Sequence, residues 1–123
     1  MPLPVTMEVE VDRARRLIAE GAPVLDVREA HERAKSRIGG SLWIPVTELS
    51  RRWRELPRDG VLVVQCAAGS RSFRATKFLR EQGIMATSLI GGISEWEAHG
   101  LPTVSDRKAG PAKGAVGAPS GRG

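Results

Sequence analysis

The sequence predicts an α/β fold: one domain built on a five-stranded, mostly parallel sheet with helices on both faces. Three observations predict it. Short apolar runs of strand length alternate with amphipathic segments of helical period along the body of the chain. The run Val61–Gln65, "VLVVQ", is apolar and largely β-branched without alternation, the pattern of a central parallel strand covered on both sides. At 123 residues, the chain is long enough for one core and too short for two.

The elements follow in order. "TMEV" reads as a brief edge strand. Val11, Ala14, Leu17 and Ile18 then share one face of a helix that Gly21 and Pro23 end. "VLDV", Val24 to Val27, is a buried strand. "EAHERAK" is a short helix with acids leading and bases near its end. "SLWIP" is a third strand, stopped by Pro45. Thr47 is placed to cap a helix in which Leu49, Trp53 and Leu56 recur at i, i+4 and i+7. After "VLVVQ" comes a helix that turns Ala75, Phe78 and Leu79 inward and ends near Gly83. "MATSLI" is the fifth strand, and "GISEWEAHG" a last short helix before Pro102. Right-handed crossovers between parallel strands place these helices on both faces.

Charge and composition narrow the function classes. The net charge is +5, but residues 1–105 contribute only +2 of it and residues 106–123 the other +3. The domain is expected to span 3–103. The stretch 104–123, rich in Gly, Pro, Ala and isolated bases, is expected to be a disordered tail, since it has no apolar face to offset its ordering entropy. Bases in the body alternate with acids and lack interleaved aromatics, so no nucleic-acid partner is expected. No apolar run approaches the roughly 20 residues of a membrane span. The start, "MPLPVTMEVEVD", lacks the pattern of a secretory signal, and one cysteine cannot close an internal disulfide. The expectation is a reduced, cytoplasmic chain. One Cys and two scattered His, His31 and His99, give no metal-site spacing, so neither metal nor cofactor is expected.

The chemistry concentrates where that lone cysteine stands. Binding sites in open α/β sheets form outside the carboxyl ends of the strands, and Cys66 ends the central one. In "CAAGSR", Ala67, Ala68 and Ser70 are small and Gly69 can take positive φ, so the loop can turn several N–H groups into one hollow as an anion nest. The positive end of the following helix faces the same hollow, Ser70 or Ser72 can cap it, and Arg71 adds a charge. Such surroundings favour the thiolate. In "LDVREAHE", Asp26 ends a strand at the same rim and Arg28 leaves it. The two either pair to fix the turn, or Arg28 lines the pocket and attracts an anionic donor; Arg28 and Glu32 can also pair along the helix.

Four stretches taken together resemble the single-domain rhodaneses, a sulfurtransferase family. They are "VLDVRE", "RIGGSLWIP", "VVQCAAGSRS" with its C-x-x-G-x-R-S loop, and "LIGGISEWEAHGLP", in that order and spacing. The resemblance implies a five-stranded parallel sheet between helices and a persulfide-forming nucleophile at Cys66. It further implies loop amides from Ala67 to Arg71 around that sulfur, a small anionic donor such as thiosulfate, and an acceptor such as cyanide, a thiol or a protein. The alternative in the same frame is a carrier that passes persulfide between proteins, or a binding module, with little thiosulfate turnover. Two departures stand out: Arg37 replaces the family's usual His, with no Pro following, and Arg33 or Ala34 occupies the place of a common aromatic. Related phosphatases and arsenate reductases use C-x5-R. Here four residues separate Cys66 from Arg71, a smaller ring that suits sulfur better than phosphate.

Overall fold

The computed structural model describes residues 5–106. Five strands form one sheet: β1 (Glu8–Val9), β2 (Val24–Asp26), β3 (Leu42–Trp43), β4 (Val61–Gln65) and β5 (Met85–Leu89). Their order is β1-β5-β4-β2-β3 and every pairing is parallel. The helices are α1 (Val11–Ala19), α2 (Ala30–Lys35), α3 (Leu49–Arg52), α4 (Ser70–Glu81) and α5 (Gly92–Ala98).

Side-chain alternation along the strands divides the interior in two. Leu25, Leu62, Val64 and Ala86 pack with Leu49, Leu56, Ala75 and Leu79, beneath α3 and α4. Val24, Val63 and Leu89 face the other way, onto Val11, Ala14 and Leu17 of α1 and Ile93 and Trp96 of α5. The unbroken apolar run of β4 is thereby explained, since both of its faces are roofed by helices. Each fully buried Leu or Val contributes about 1.5–3 kcal/mol relative to exposure. β2, β4 and β5 all deliver their carboxyl ends to one rim, which ends in Asp26, Gln65 and Leu89.

Three local expectations change. The helix expected from Thr47 is instead a 3₁₀ turn (46–48), the four residues of α3, and a second 3₁₀ turn (53–55). Thr47 caps nothing, because Pro45 precedes the first turn and makes no side-chain bond to it. Leu56 is extended, at φ −82° and ψ 150°, as a residue before proline prefers to be. The apolar spacing nevertheless keeps Leu49 and Leu56 buried, while Trp53 lies at the margin beneath Arg54 and Arg58. β3 shortens to two residues, and Trp43 donates its indole N–H to the Arg28 carbonyl at 2.8 Å. The assigned tail begins by folding back: Arg37 and Val104 exchange backbone hydrogen bonds at 2.8 Å, and Asp106 meets the Arg37 guanidinium at 2.7 Å. The rest of that segment, 107–123, lies outside the described residues. Among the described residues no helix is long and apolar enough to cross a membrane.

Candidate active site

β4 carries the chain directly into Cys66, which is 0% exposed. The loop then reverses at Gly69, whose φ of +112° is open to glycine and costly for other residues. This turn brings the Gly69 N–H to 3.1 Å from Sγ, and the first turn of α4 brings the Ser72 N–H to 3.3 Å. The Ser72 hydroxyl lies 3.4 Å from Sγ, where it accepts from the neutral thiol and can turn its own proton toward the thiolate. The same hydroxyl donates to the Gly69 carbonyl at 3.2 Å and shares a 2.8 Å bond with the buried Ser88 hydroxyl on β5. Burial pushes the Cys66 thiol up. The Ser72 hydroxyl and the amides of Ser72, Gly69 and Ala68 outweigh that push and hold it below the usual thiol value.

The amides hydrogen-bonded to Sγ are those of Gly69 and Ser72, with the Ala68 amide also favouring the thiolate, where the sequence reading has the run from Ala67 to Arg71. Ser72 does not cap α4, since Gly69 is the N-cap residue and no side-chain cap bond forms. Ser72 touches the sulfur itself. Ala67 contributes through its carbonyl, which accepts the Ser94 N–H at 3.1 Å, as the Cys66 carbonyl accepts that of Ile93 at 2.8 Å. The opening of α5 thus clasps the loop from behind. Gly92, at φ +60°, makes that approach possible: a Cβ there would overlap the Cys66 carbonyl oxygen and come within 2.7 Å of the Ala67 carbonyl.

The two arginines are placed otherwise than the sequence suggests. Arg71 does not face the sulfur as a free cation. Its Nη1 and Nη2 grip Oε1 and Oε2 of Glu32 at 2.9 and 2.8 Å. The pair raises the Arg71 pKa and draws the Glu32 carboxyl down to about 2. Glu32 therefore pairs with Arg71 across the rim rather than with Arg28 along α2. Arg28 is 4% exposed and is engaged in pairing. Its Nε and Nη2 fork onto Asp26 at 2.8–3.2 Å, and Nη2 reaches the Ser36 carbonyl at 2.7 Å. Asp26, wholly buried, also accepts the Arg28 amide at 2.9 Å and Arg33 Nη1 at 3.1 Å. A buried carboxylate needs such counter-charges, which is why pairing prevails over substrate contact. Arg37, in the place of the family's His, holds the Arg33 carbonyl at 3.0 Å and Asp106. His99 bonds to Glu95 on its own helix.

The loop around the thiol carries only small side chains: Ala68 and Ser70 are exposed and Ala67 and Gly69 half-buried. Three contributors escaped the sequence reading: Glu32 as the partner of Arg71, Ser88 behind Ser72, and Gly92 against the loop. For Gly92 a signal was present, a second glycine turn at the end of the neighbouring strand.

The family model for the Rhodanese-like domain matches residues 10–99. A protein of Allochromatium vinosum named as a sulfurtransferase is 34% identical over 101 residues, covering 80% of this chain and 94% of that one. A thiosulfate sulfurtransferase of Actinobacillus succinogenes is 33% identical, covering 77% and 87%. The crystal structure of a rhodanese-related protein from Thermoplasma volcanium superposes with a TM-score of 0.76 at 35% identity, over 80% of this chain and 98% of that one. With the same parallel sheet and a cysteine loop at its carboxyl rim, this chain belongs to the rhodanese-like domain family.

Proposed function

We propose that this chain is a sulfurtransferase in which Cys66 carries a sulfane sulfur as a persulfide. One observation carries the reading: Sγ is the common target of amides from Ala68, Gly69 and Ser72 and of the Ser72 hydroxyl, so negative charge on sulfur is stabilised without a neighbouring base. The names of the relatives support the reaction class.

With thiosulfate as donor, the Cys66 thiolate attacks the outer sulfur. The old S–S bond breaks, sulfite leaves with its electron pair, and a Cys66 persulfide remains. An acceptor nucleophile, cyanide or a thiolate, then attacks the outer sulfur and restores the thiolate. Because Cys66 is 0% exposed, each half-reaction begins with an opening that admits the donor or acceptor to Sγ. Arg71, braced by Glu32, steadies the first turn of α4, whose Ser72 amide faces the sulfur. That bracing also argues against a phosphatase: an oxyanion clamp needs a free guanidinium, and both ends of this one are occupied.

The test is Cys66→Ser, which is expected to abolish thiocyanate formation from thiosulfate and cyanide. Donor-treated wild-type protein should gain about 32 Da on Cys66, one added sulfur. Turnover in the serine variant, or an unchanged mass with every sulfane donor, refutes the reading.

A further inference from the structure

We infer that Glu32 makes this site discriminate against dianionic donors, so that its sulfur comes from a perthiol, R–S–SH, on a small thiol or protein in preference to thiosulfate. The inference rests on the sulfur-transfer reading above and names its substrate class.

Arg71 is the cation that the catalytic loop itself supplies, and it lies within Coulombic reach of the Cys66 thiolate. Its fork, the feature that suits arginine to clasping oxyanions, is filled by Glu32 in bidentate contact. Glu29, the residue that opens α2, adds a second carboxylate within reach of Arg71. With its carboxyl drawn down to about 2, Glu32 stays ionised across the working pH range, so no titration releases the arginine. The two arginines that β2 and α2 bring to this rim, Arg28 and Arg33, both bind Asp26. Acids thus balance the cations at this edge of the site.

The donor's charge then decides the cost of approach. A thiolate attacking thiosulfate gathers three negative charges in one transition state, and a donor of lower charge gathers fewer. With a perthiol the step is balanced and needs no outside oxidant or reductant. The Cys66 thiolate attacks the outer sulfur, the carrier S–S bond breaks with its electron pair going to R–S⁻, and Cys66–S–SH forms.

The experiment compares kcat/KM for thiosulfate, a dianion, and benzenethiosulfonate, a monoanion with the same transferable sulfur, in wild type and Glu32→Gln, with cyanide as acceptor. Glutamine keeps an oxygen that can accept the Glu29 N–H, so the start of α2 is preserved while the charge is removed. Wild type is expected to favour the monoanion. The substitution is expected to raise kcat/KM about threefold for the monoanion and about tenfold for the dianion, because a unit charge acts on the dianion with twice the energy. The ratio of the two within one preparation is independent of the folded fraction, so partial unfolding cannot imitate the shift. As a second measurement, persulfide loading of Cys66 by cysteine persulfide, whose net charge is lower than that of thiosulfate, should change less than the thiosulfate rate. An unchanged ratio, or an equal loss with both donors, overturns the inference and leaves Glu32 as a brace for the loop. If Cys66→Ser is inactive while the ratio stays fixed, only the role of Glu32 falls; if Cys66→Ser still turns over, the sulfur-transfer reading falls first.

Discussion

Gly92→Ala should damage the active-site loop through the backbone of a neighbouring turn, and its cost can be worked from two glycines. Gly92 has φ +60° and Gly40 has φ +78°, so alanine at either must take a left-handed conformation, at about 1–2 kcal/mol. At Gly40 nothing lies within 4 Å of a new Cβ, and that penalty is the whole expected effect. At Gly92 the new methyl would meet the carbonyls of Cys66 and Ala67, both backbone and unable to swing away like a side chain. Relief requires α5 to back off, which stretches the bonds from Ile93 to Cys66 and from Ser94 to Ala67. Each is worth about 0.5–1.5 kcal/mol net.

The expected loss is therefore about 2–5 kcal/mol for Gly92→Ala against about 1–2 for Gly40→Ala. Urea denaturation of both variants reads the difference, and the pH profile of Cys66 alkylation reads whether the thiol has felt it. Gly40→Ala should leave that profile in place while Gly92→Ala moves it upward. Equal destabilisation by the two substitutions, with an unmoved profile, would refute the claim that α5 positions the loop.

Two further outcomes follow from the same contacts. Ser72→Ala removes the largest of the groups that lower the Cys66 pKa, so the midpoint of the alkylation profile should rise and the rate at neutral pH fall several-fold; one pKa unit corresponds to about 1.4 kcal/mol. A midpoint that stays put would take the hydroxyl out of the nest. Asp26→Ala strips the buried Arg28 of its carboxylate partner and should cost about 3–5 kcal/mol in urea denaturation, and a loss under 1 kcal/mol would mean the pair is not the clamp described.

What could be read from the chain, and what could not, divides by the range of the interaction. β4 and its cysteine were legible because five consecutive residues carry the pattern of a doubly covered strand. The nest was legible in outline because small residues and a glycine in one loop constrain only that loop. Glu32 and Arg71 are 39 positions apart, and nothing local favours that pairing over the option with Arg28, four positions away. Topology decides it: β2 lies beside β4, so α2 starts next to the loop that follows β4. Ser88 was hidden for a similar reason. Within "MATSLI" it is one small polar residue in a strand, and it gains meaning only when α4 lays Ser72 across it. The failed helix at 46–55 is the opposite case, where a correct apolar spacing sat between two prolines that fragmented the backbone without moving the buried leucines.

The reach of α5 into the thiol's chemistry comes down to the planarity of one peptide unit. In a trans peptide the C=O of one residue and the N–H of the next point in opposite directions. The Ala67 carbonyl is drawn outward by the Ser94 N–H, so the Ala68 N–H of the same plane must turn inward, and it is one of the amides that lower the Cys66 pKa. The Cys66 carbonyl, held by Ile93, fixes the plane before it. The start of α5 thus donates twice: directly to the loop's carbonyls, and through them to the orientation of a donor aimed at sulfur. A helix whose own amides reach the Cys66 carbonyl but not its sulfur can in this way set how easily that cysteine ionises, and the glycine that lets the helix come close is as much a part of the site as the loop in front.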